Sequence, residues 1–224
     1  PVFPHPTTMI FIFALSFLKR FFIVLKTYYI ILLYHKYSVY IVMTGMFENV
    51  ESQLNKLKGK VILLDHCNET LKVTGLFSSV TQFYALDTYD CLVSSLPQLK
   101  KYREIYLVQS GVKEPPERYE GVKRFCNDYN FECGYLKSMS DIPIKPGIVY
   151  LTPENKTIVD ITLNARKQNL EVGKDFGLIA YNEQRLNEIL CGGLTTFSTD
   201  FTKMGKIAVE LIGSKDIRIV RNPH

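Results

Sequence analysis

Short apolar runs alternate with helix-like patterns along the chain from Tyr37 onward. The runs occupy residues 40–43, 61–64, 105–108, 148–151, 176–180 and 194–196. Runs this short and this apolar predict strands that are buried on both faces of a parallel sheet. Several segments between them carry apolar residues three or four positions apart, a spacing that predicts amphipathic helices. Strand–helix alternation therefore predicts an α/β fold with parallel sheets and right-handed crossovers.

Helices are predicted around residues 47–57, 85–99, 122–129, 158–165 and 201–211. The second of these contains Pro97, which removes a hydrogen bond to the previous turn, so a kink is expected there. Thr152 followed by Pro153 predicts a capping hydroxyl and a first helical residue at the start of the fourth helix.

Residues 1–36 form a hydrophobic leader whose composition differs from the rest of the chain. The stretch 9–34 is long enough to span a membrane, but the cost of inserting Lys19, Arg20 and Lys26 nearly cancels the apolar gain. Three interpretations stand: a membrane anchor, buried strands and a helix of the first lobe, or a misframed start. We favour the last, because the composition changes abruptly near residue 37.

The net charge of +5 belongs to this leader. Its four basic residues precede the first acidic residue, Glu48, and leave the body of the chain close to neutral. The body therefore offers no electrostatic footprint for DNA.

The five cysteines are scattered, form no CxxC pair, and the four histidines lack the spacing of zinc ligands. This pattern favours a reduced, cytoplasmic protein without a metal site or cofactor. Common catalytic motifs are absent as well. His66 beside Cys67 suggests a nucleophile, but neighbouring residues at a strand end point to opposite sides. We therefore do not expect an enzyme.

Polar residues follow several predicted strands. Asp65 follows the run 61–64, Glu154 and Asn155 follow 148–151, Asn182 follows 176–180, and Arg118 lies beyond 105–108. Ligands of open parallel sheets bind beyond the carboxyl ends of the strands, and such side chains can form paired hydrogen bonds to vicinal hydroxyls. The alternative is that Glu154 and Asn155 cap a helix and that Arg118 is a solvated surface residue.

Two segments resemble the sensor domain of lactose-repressor-like regulators. They are residues 172–183, with Tyr181-Asn182-Glu183 at the end, and residues 193–205, with Leu-Thr-Thr-Phe-Ser-Thr-Asp-Phe. The pattern is most similar to sensors of Bacteroidetes regulators that carry a GntR-type winged helix. Arg118, with Gly121 three residues later, matches the family's Arg-x-x-Gly.

The resemblance implies the type I fold of periplasmic sugar-binding proteins, two Rossmann-like lobes joined by three crossovers. The first lobe would comprise 37–102 with 199–224 returning to it, and the second 103–198. The first lobe is expected to be incomplete, because residues 1–36 do not resemble its first strand and helix.

The resemblance also implies a function: sensing a small sugar-like effector held between the lobes. Arg118 would contact effector hydroxyls, Asn182 stands at a normally acidic position, and Glu154 and Asn155 replace an Asn-Asp pair. Two further residues, at a crossover, would line the cleft: Thr199 and Phe201. A homodimer is expected, with DNA bound only through a winged helix that this chain lacks. The alternative is a sugar-binding protein that is exported or anchored in the inner membrane.

Overall fold

The computed structural model describes residues 21–24 by their backbone, and residues 37–43, 54–65, 77–110, 114–140 and 142–224. The chain divides into two compact units. Unit 1 comprises residues up to 83 together with 200–223, and unit 2 comprises 84–199 together with His224.

Unit 1 contains a parallel sheet of five described strands. They are β1 (Phe21–Val24), β2 (Val39–Met43), β3 (Lys60–Asp65), β4 (Phe77–Thr81) and β10 (Ile219–Arg221), and they lie side by side in this order. Helix α6 (Phe201–Gly213) packs on the sheet with one apolar face, which includes Met204, Ala208 and Leu211. Asp200 begins this helix by accepting a hydrogen bond from the Lys203 amide at 2.7 Å.

Strand β1 falls within the hydrophobic leader. It pairs in parallel with β2, with Phe21 opposite Val39, as the second interpretation of the leader expects. The other leader residues, most of the helix predicted at 47–57, and the His66–Cys67 pair lie outside the described residues. Within the part of the chain that the structure describes, no helix is both long and apolar enough to cross a membrane.

Unit 2 contains a second parallel sheet with the order β6-β5-β7-β8-β9. The strands are β5 (Glu104–Val108), β6 (Glu132–Leu136), β7 (Ile148–Thr152), β8 (Gly177–Tyr181) and β9 (Thr195–Phe197). One face packs against helices α1 (Tyr84–Ser94) and α3 (Glu117–Tyr129), and the other against α4 (Asn155–Lys167). Alternate residues of β7 serve the two faces, since Val149 and Leu151 join the first core and Ile148 and Tyr150 the second.

The predicted boundary after residue 102 differs from the division between the units, which falls after residue 83. Helix α1 belongs to unit 2 because it packs closely against α3. A Cβ atom added to Gly121 of α3 would lie 2.2 Å from the Ala85 carbonyl oxygen, so the glycine allows the two helices to approach.

Two local predictions have opposite outcomes. The kink expected at Pro97 is confirmed: α1 ends at Ser94, and a separate short helix, α2 (Leu96–Leu99), begins after Ser95. The helix start predicted at Thr152 and Pro153 is wrong, because α4 begins at Asn155. Thr152 is the last residue of β7, and its hydroxyl oxygen accepts from the Glu154 amide at 3.2 Å.

Candidate functional site at the carboxyl edge of unit 2

The carboxyl ends of β5, β7, β8 and β9 lie side by side in unit 2. We call the residues that follow these strands the carboxyl edge; they are Gln109, Ser110, Glu154, Asn182 and Ser198. Hydrogen bonds join neighbouring segments of this edge. The Ser110 amide donates to Glu154 Oε1 at 2.6 Å, and the Glu183 amide donates to Ser198 Oγ at 3.1 Å. Polar groups from four strands are therefore fixed on one side of the sheet.

Glu154 is an acceptor whose two carboxylate oxygens are both engaged. Oε1 accepts from the Ser110 amide, and Oε2 accepts from the Thr157 hydroxyl at 3.1 Å. Burial raises the pKa of Glu154, but these hydrogen bonds lower it by a larger amount, so its pKa lies below its usual range. Glu154 thus carries a negative charge at neutral pH and connects the β5 and β7 segments.

Asn155, by contrast, is exposed in the first turn of α4. Its side-chain amide donates to Gln184 Oε1 at 2.8 Å, which joins α4 to the segment after β8.

Glu154 does not cap α4 with its side chain, contrary to the alternative interpretation. Glu154 is the residue before the helix, yet its side chain accepts no backbone hydrogen bond from the first turn.

Arg118 is buried in the first turn of α3, with 3% of its surface exposed. Its guanidinium forms an ion pair with Glu114 and stacks against two rings, 4.9 Å from the centroid of Tyr84 and 4.2 Å from that of Tyr181. Its Nε has no hydrogen-bond partner among the described residues. The alternative that Arg118 is a solvated surface residue is therefore wrong.

Tyr181, the last residue of β8, faces Arg118 with its ring. Burial raises the pKa of its hydroxyl to about 12, although the positive charge of Arg118 opposes this rise. Tyr181 is neutral at physiological pH and acts as one wall of the arginine pocket.

Asn182 directly follows Tyr181 and adopts a left-handed conformation with φ of 65°. Its amide donates to the Phe197 carbonyl at 2.7 Å, and its own carbonyl accepts from the Asn187 side chain at 3.3 Å. Its side-chain oxygen is buried and has no partner among the described residues. Asn182 thus holds an acceptor in place beside the β9 segment.

The remaining predicted site residues are divided between the units. Thr199 is buried two residues after β9 in unit 2. Phe201 begins α6 in unit 1 with 55% of its surface exposed, and Asp65 ends β3 in unit 1, where its carboxylate accepts from the Gln82 side chain at 2.7 Å. The structure therefore brings four of the predicted residues together around the edge of one sheet: Arg118, Glu154, Asn155 and Asn182.

Three residues of this region escaped the sequence analysis: Tyr84, Gln109 and Ser110. Gln109 and Ser110 directly follow the predicted strand 105–108, so the strand-end rule applied consistently would have found them. Gln109 is fully buried, and its side-chain oxygen lacks a partner among the described residues. Tyr84 carries no such signal, because its role depends on the packing of α1 against α3.

No protein-family model matches the sequence, and no curated protein matches it either. Solved structures do match. A LacI family transcriptional regulator from Weissella paramesenteroides with bound sucrose has a TM-score of 0.66 and 18% identity, with 86% of this chain and 77% of that chain covered. One from Enterococcus faecium with bound ribose has a TM-score of 0.61 and 15% identity, with 83% and 76% covered.

A third structure is a periplasmic binding protein/LacI transcriptional regulator from Alkaliphilus metalliredigens QYMF in complex with D-xylulofuranose. Its TM-score is 0.62 at 12% identity, with 88% of this chain and 79% of that chain covered. At these identities the likeness concerns the fold. The predicted α/β fold with parallel sheets, of the kind found in periplasmic binding proteins and LacI-type sensors, is confirmed. These neighbours do not support the finer assignment to GntR-type regulators or to Bacteroidetes.

Proposed function

We propose that the chain senses a small sugar-like effector for a bacterial transcription regulator, and that the carboxyl edge of unit 2 contributes to the binding site. Neighbours of the same fold are transcription regulators with bound ribose, sucrose and D-xylulofuranose, which supports this choice of ligand class. The observation that carries the proposal for this chain is the buried guanidinium of Arg118.

A buried donor without a partner costs roughly 1–3 kcal/mol, so Arg118 Nε needs a compensating acceptor. The side-chain oxygens of Asn182 and Gln109 are buried acceptors that lack a hydrogen-bond donor among the described residues. A sugar hydroxyl both donates and accepts, and neighbouring hydroxyls of one sugar can satisfy both kinds of group. The set of unmatched groups therefore suits a polyol.

The local charge favours an uncharged sugar over a sugar phosphate. Glu114 neutralises Arg118, and Glu154 adds a negative charge that its hydrogen bonds stabilise. Phosphate sites usually offer an excess of positive charge or several free backbone amides. Here the Ser110 amide is already occupied by Glu154.

The first experiment is titration calorimetry of the purified chain with ribose, xylulose, glucose, sucrose and lactose, alongside a sugar phosphate. We expect one of the uncharged sugars to bind, and Arg118→Ala to weaken its binding by at least about tenfold. Arg118→Lys keeps the charge but loses the fork of donors, and should also bind weakly. Arg124→Ala is the matched control, because Arg124 lies exposed on the same helix. Unchanged affinity in both folded Arg118 variants would remove this residue from the site, and preference for the phosphate would overturn the charge argument.

The proposal includes a homodimer formed through unit 2. Helices α4 and α5 (Arg185–Ile189) expose a set of large apolar side chains: Val159, Leu163, Leu186 and Ile189. The two helices lie near each other, since Thr162 of α4 contacts Cys191, just beyond α5, at 3.9 Å. A second copy would cover this surface. Sedimentation of the chain should show a dimer that Leu163→Glu and Ile189→Glu convert to monomer; a monomeric parent chain would contradict this.

We further propose reversible binding in the cytoplasm rather than turnover of the ligand. The described cysteines are all free thiols, as a reducing compartment favours. A regulator's effector should be recovered chemically unchanged after prolonged incubation with the protein. DNA binding would require a further domain, for which the GntR-type winged helix is our sequence-based expectation.

A further inference from the structure

Cys126 and Cys133 belong to two elements of unit 2 that contact each other, α3 and β6. Cys126 belongs to the last turns of α3, and Cys133 is the second residue of β6. Strand β6 is at the edge of its sheet, beside β5. The hydroxyl of Tyr119, which lies about two turns before Cys126 in α3, contacts Cys133 Sγ at 3.9 Å.

The residues on either side fix which way Cys133 faces. Phe131 lies two positions before Cys133 and Tyr135 two positions after it, and both pack against the core cluster that contains Cys126. The Phe131 ring centroid lies 5.5 Å from that of Phe125, and the Tyr135 centroid lies 5.3 Å from that of Tyr119. Because alternate residues of a strand share one side, Cys133 faces α3 between these two ring contacts.

The two thiols differ in their access to solvent. Cys133 is exposed, whereas Cys126 is 2% exposed. Burial, together with the electrostatic interaction and hydrogen bonding of the neighbouring Cys133 thiol, raises the pKa of Cys126 to about 12. Cys126 is therefore a poor target for reagents by itself, and Cys133 meets them first.

We propose that Cys126 and Cys133 form a peroxide-sensitive dithiol that closes to a disulfide between α3 and β6. The Cys133 thiolate attacks one oxygen of hydrogen peroxide; an S–O bond forms, the O–O bond breaks, and the departing hydroxide takes a proton to become water. The Cys126 sulfur then displaces the hydroxyl of the sulfenic acid, so that an S–S bond forms and a second water leaves. Two thiols lose two electrons and two hydrogens, and one peroxide is reduced to two waters.

The burial of Cys126 determines the order and rate of these steps. Attack on the sulfenic acid requires a thiolate, which the high pKa of Cys126 makes scarce at neutral pH. The second step is therefore the slower one, and it accelerates as the pH rises. Cys191 provides a comparison within the chain, because it is also exposed but its sulfur contacts the Thr162 hydroxyl, at 3.9 Å.

Digestion with trypsin isolates the pair. The peptide 125–137, FCNDYNFECGYLK, follows Arg124, ends at Lys137 and contains both cysteines and no other. After treatment with a small excess of hydrogen peroxide, alkylation, and digestion without reductant, this peptide should be lighter by two hydrogens and resist alkylation at both thiols. A reductant applied before alkylation should restore both alkylation sites. Alkylation of both cysteines after peroxide, or a sulfinic acid on Cys133 beside an alkylated Cys126, would overturn the proposal.

Two variants separate the roles of the thiols. Cys133→Ser changes an exposed residue, and should leave Cys126 reduced and unreactive toward peroxide in the folded protein. Cys126→Ala should leave Cys133 as a sulfenic acid that a dimedone-type reagent traps, with more trapped product than in the parent chain. Equal trapping in the parent chain and in Cys126→Ala would show that Cys126 does not resolve the sulfenic acid. The Cys133→Ser variant gives a test that does not depend on the trapping experiment. Oxidation of Cys126 in that variant would contradict the proposed order of the two steps.

Discussion

The guanidinium carbon of Arg118 lies 4.2 Å from the centroid of the Tyr181 ring, although the two residues are 63 positions apart in the chain. Tyr84 covers the cation from a third segment, and Glu114 neutralises it. The arginine is thus oriented by groups that do not use its Nε. An arginine held in this way is preorganised for a ligand, since little side-chain entropy remains to be lost on binding.

Substitutions of Tyr181 should separate the effect of its ring from that of its hydroxyl. Tyr181→Phe keeps the ring, and should change effector affinity less than about twofold. Tyr181→Leu removes the stacking partner, which is worth roughly 0.5–2 kcal/mol, and should weaken binding by about two- to thirtyfold. Calorimetry with the sugar that binds the parent chain gives both values. Equal loss in the two variants would assign the effect to the hydroxyl instead.

Asn182 allows stability and binding to be measured apart. Its φ of 65° favours glycine, so Asn182→Gly should keep the free energy of unfolding within about 1 kcal/mol while removing the side-chain oxygen. Asn182→Ala should destabilise the protein by roughly 1–2 kcal/mol, because a Cβ atom disfavours this conformation. Urea unfolding measures the stability, and calorimetry should show weakened effector binding in both variants. A glycine variant that binds normally would exclude the side-chain oxygen from the site.

Most of the strands that the sequence revealed are largely buried, and the short edge strand β9 is an exception. Strand β7 is buried along its whole length, and its apolar run was found within one residue of its true limits. Strand β4, FSSVT, was missed because its buried Ser78 and Ser79 resemble a loop. Strand β6 was missed because an edge strand with Glu132, Cys133 and Gly134 needs no continuous apolar run.

The sequence could predict the candidate site only through the rule that ligands bind beyond the carboxyl ends of parallel strands. The rule placed Glu154 and Asn182 at the same edge of the sheet, as the structure does, because parallel strands deliver the residues that follow them to one edge. It could not show that Arg118 is buried, since its neighbours Tyr84 and Tyr181 come from distant segments. Nor could it show that Glu154 already accepts two hydrogen bonds, because the Ser110 amide reaches it across the sheet.

Two glycines in helices should respond oppositely to alanine. At Gly121 a Cβ atom would lie 2.2 Å from the Ala85 carbonyl oxygen and 3.0 Å from Thr88 Cβ, so Gly121→Ala must push α1 away from α3. We expect a loss of roughly 2–4 kcal/mol in the free energy of unfolding. At exposed Gly205 in α6 nothing lies within 4 Å, and Gly205→Ala should be neutral or add up to about 1 kcal/mol. Urea denaturation compares them, and similar effects at the two positions would contradict the close packing of α1 on α3.

His224 forms an ion pair with Asp87, a buried residue of α1, with 3.3 Å between Nδ1 and Oδ1. The hydrogen bond that the imidazole donates to Asp87, with a further one to Cys91, raises the pKa of His224 to about 10, although partial burial of the imidazole opposes the rise. A group whose pKa is raised by folding stabilises the folded state fully below its unfolded pKa, near 6.5. The stabilisation disappears as the pH rises through about 10.

The free energy of unfolding of the parent chain should therefore exceed that of His224→Gln by roughly 1–3 kcal/mol at pH 6, a range typical of hydrogen bonds to charged groups. The difference should shrink steadily between pH 7 and 10 and vanish above pH 10, because the imidazole is then neutral in both the folded and unfolded states. Urea unfolding at fixed ionic strength across this range measures it, and taking the difference between the two proteins cancels the titration of tyrosines and lysines. Parallel curves for the parent chain and the variant would mean that the Asp87 pair does not hold His224 in its charged form.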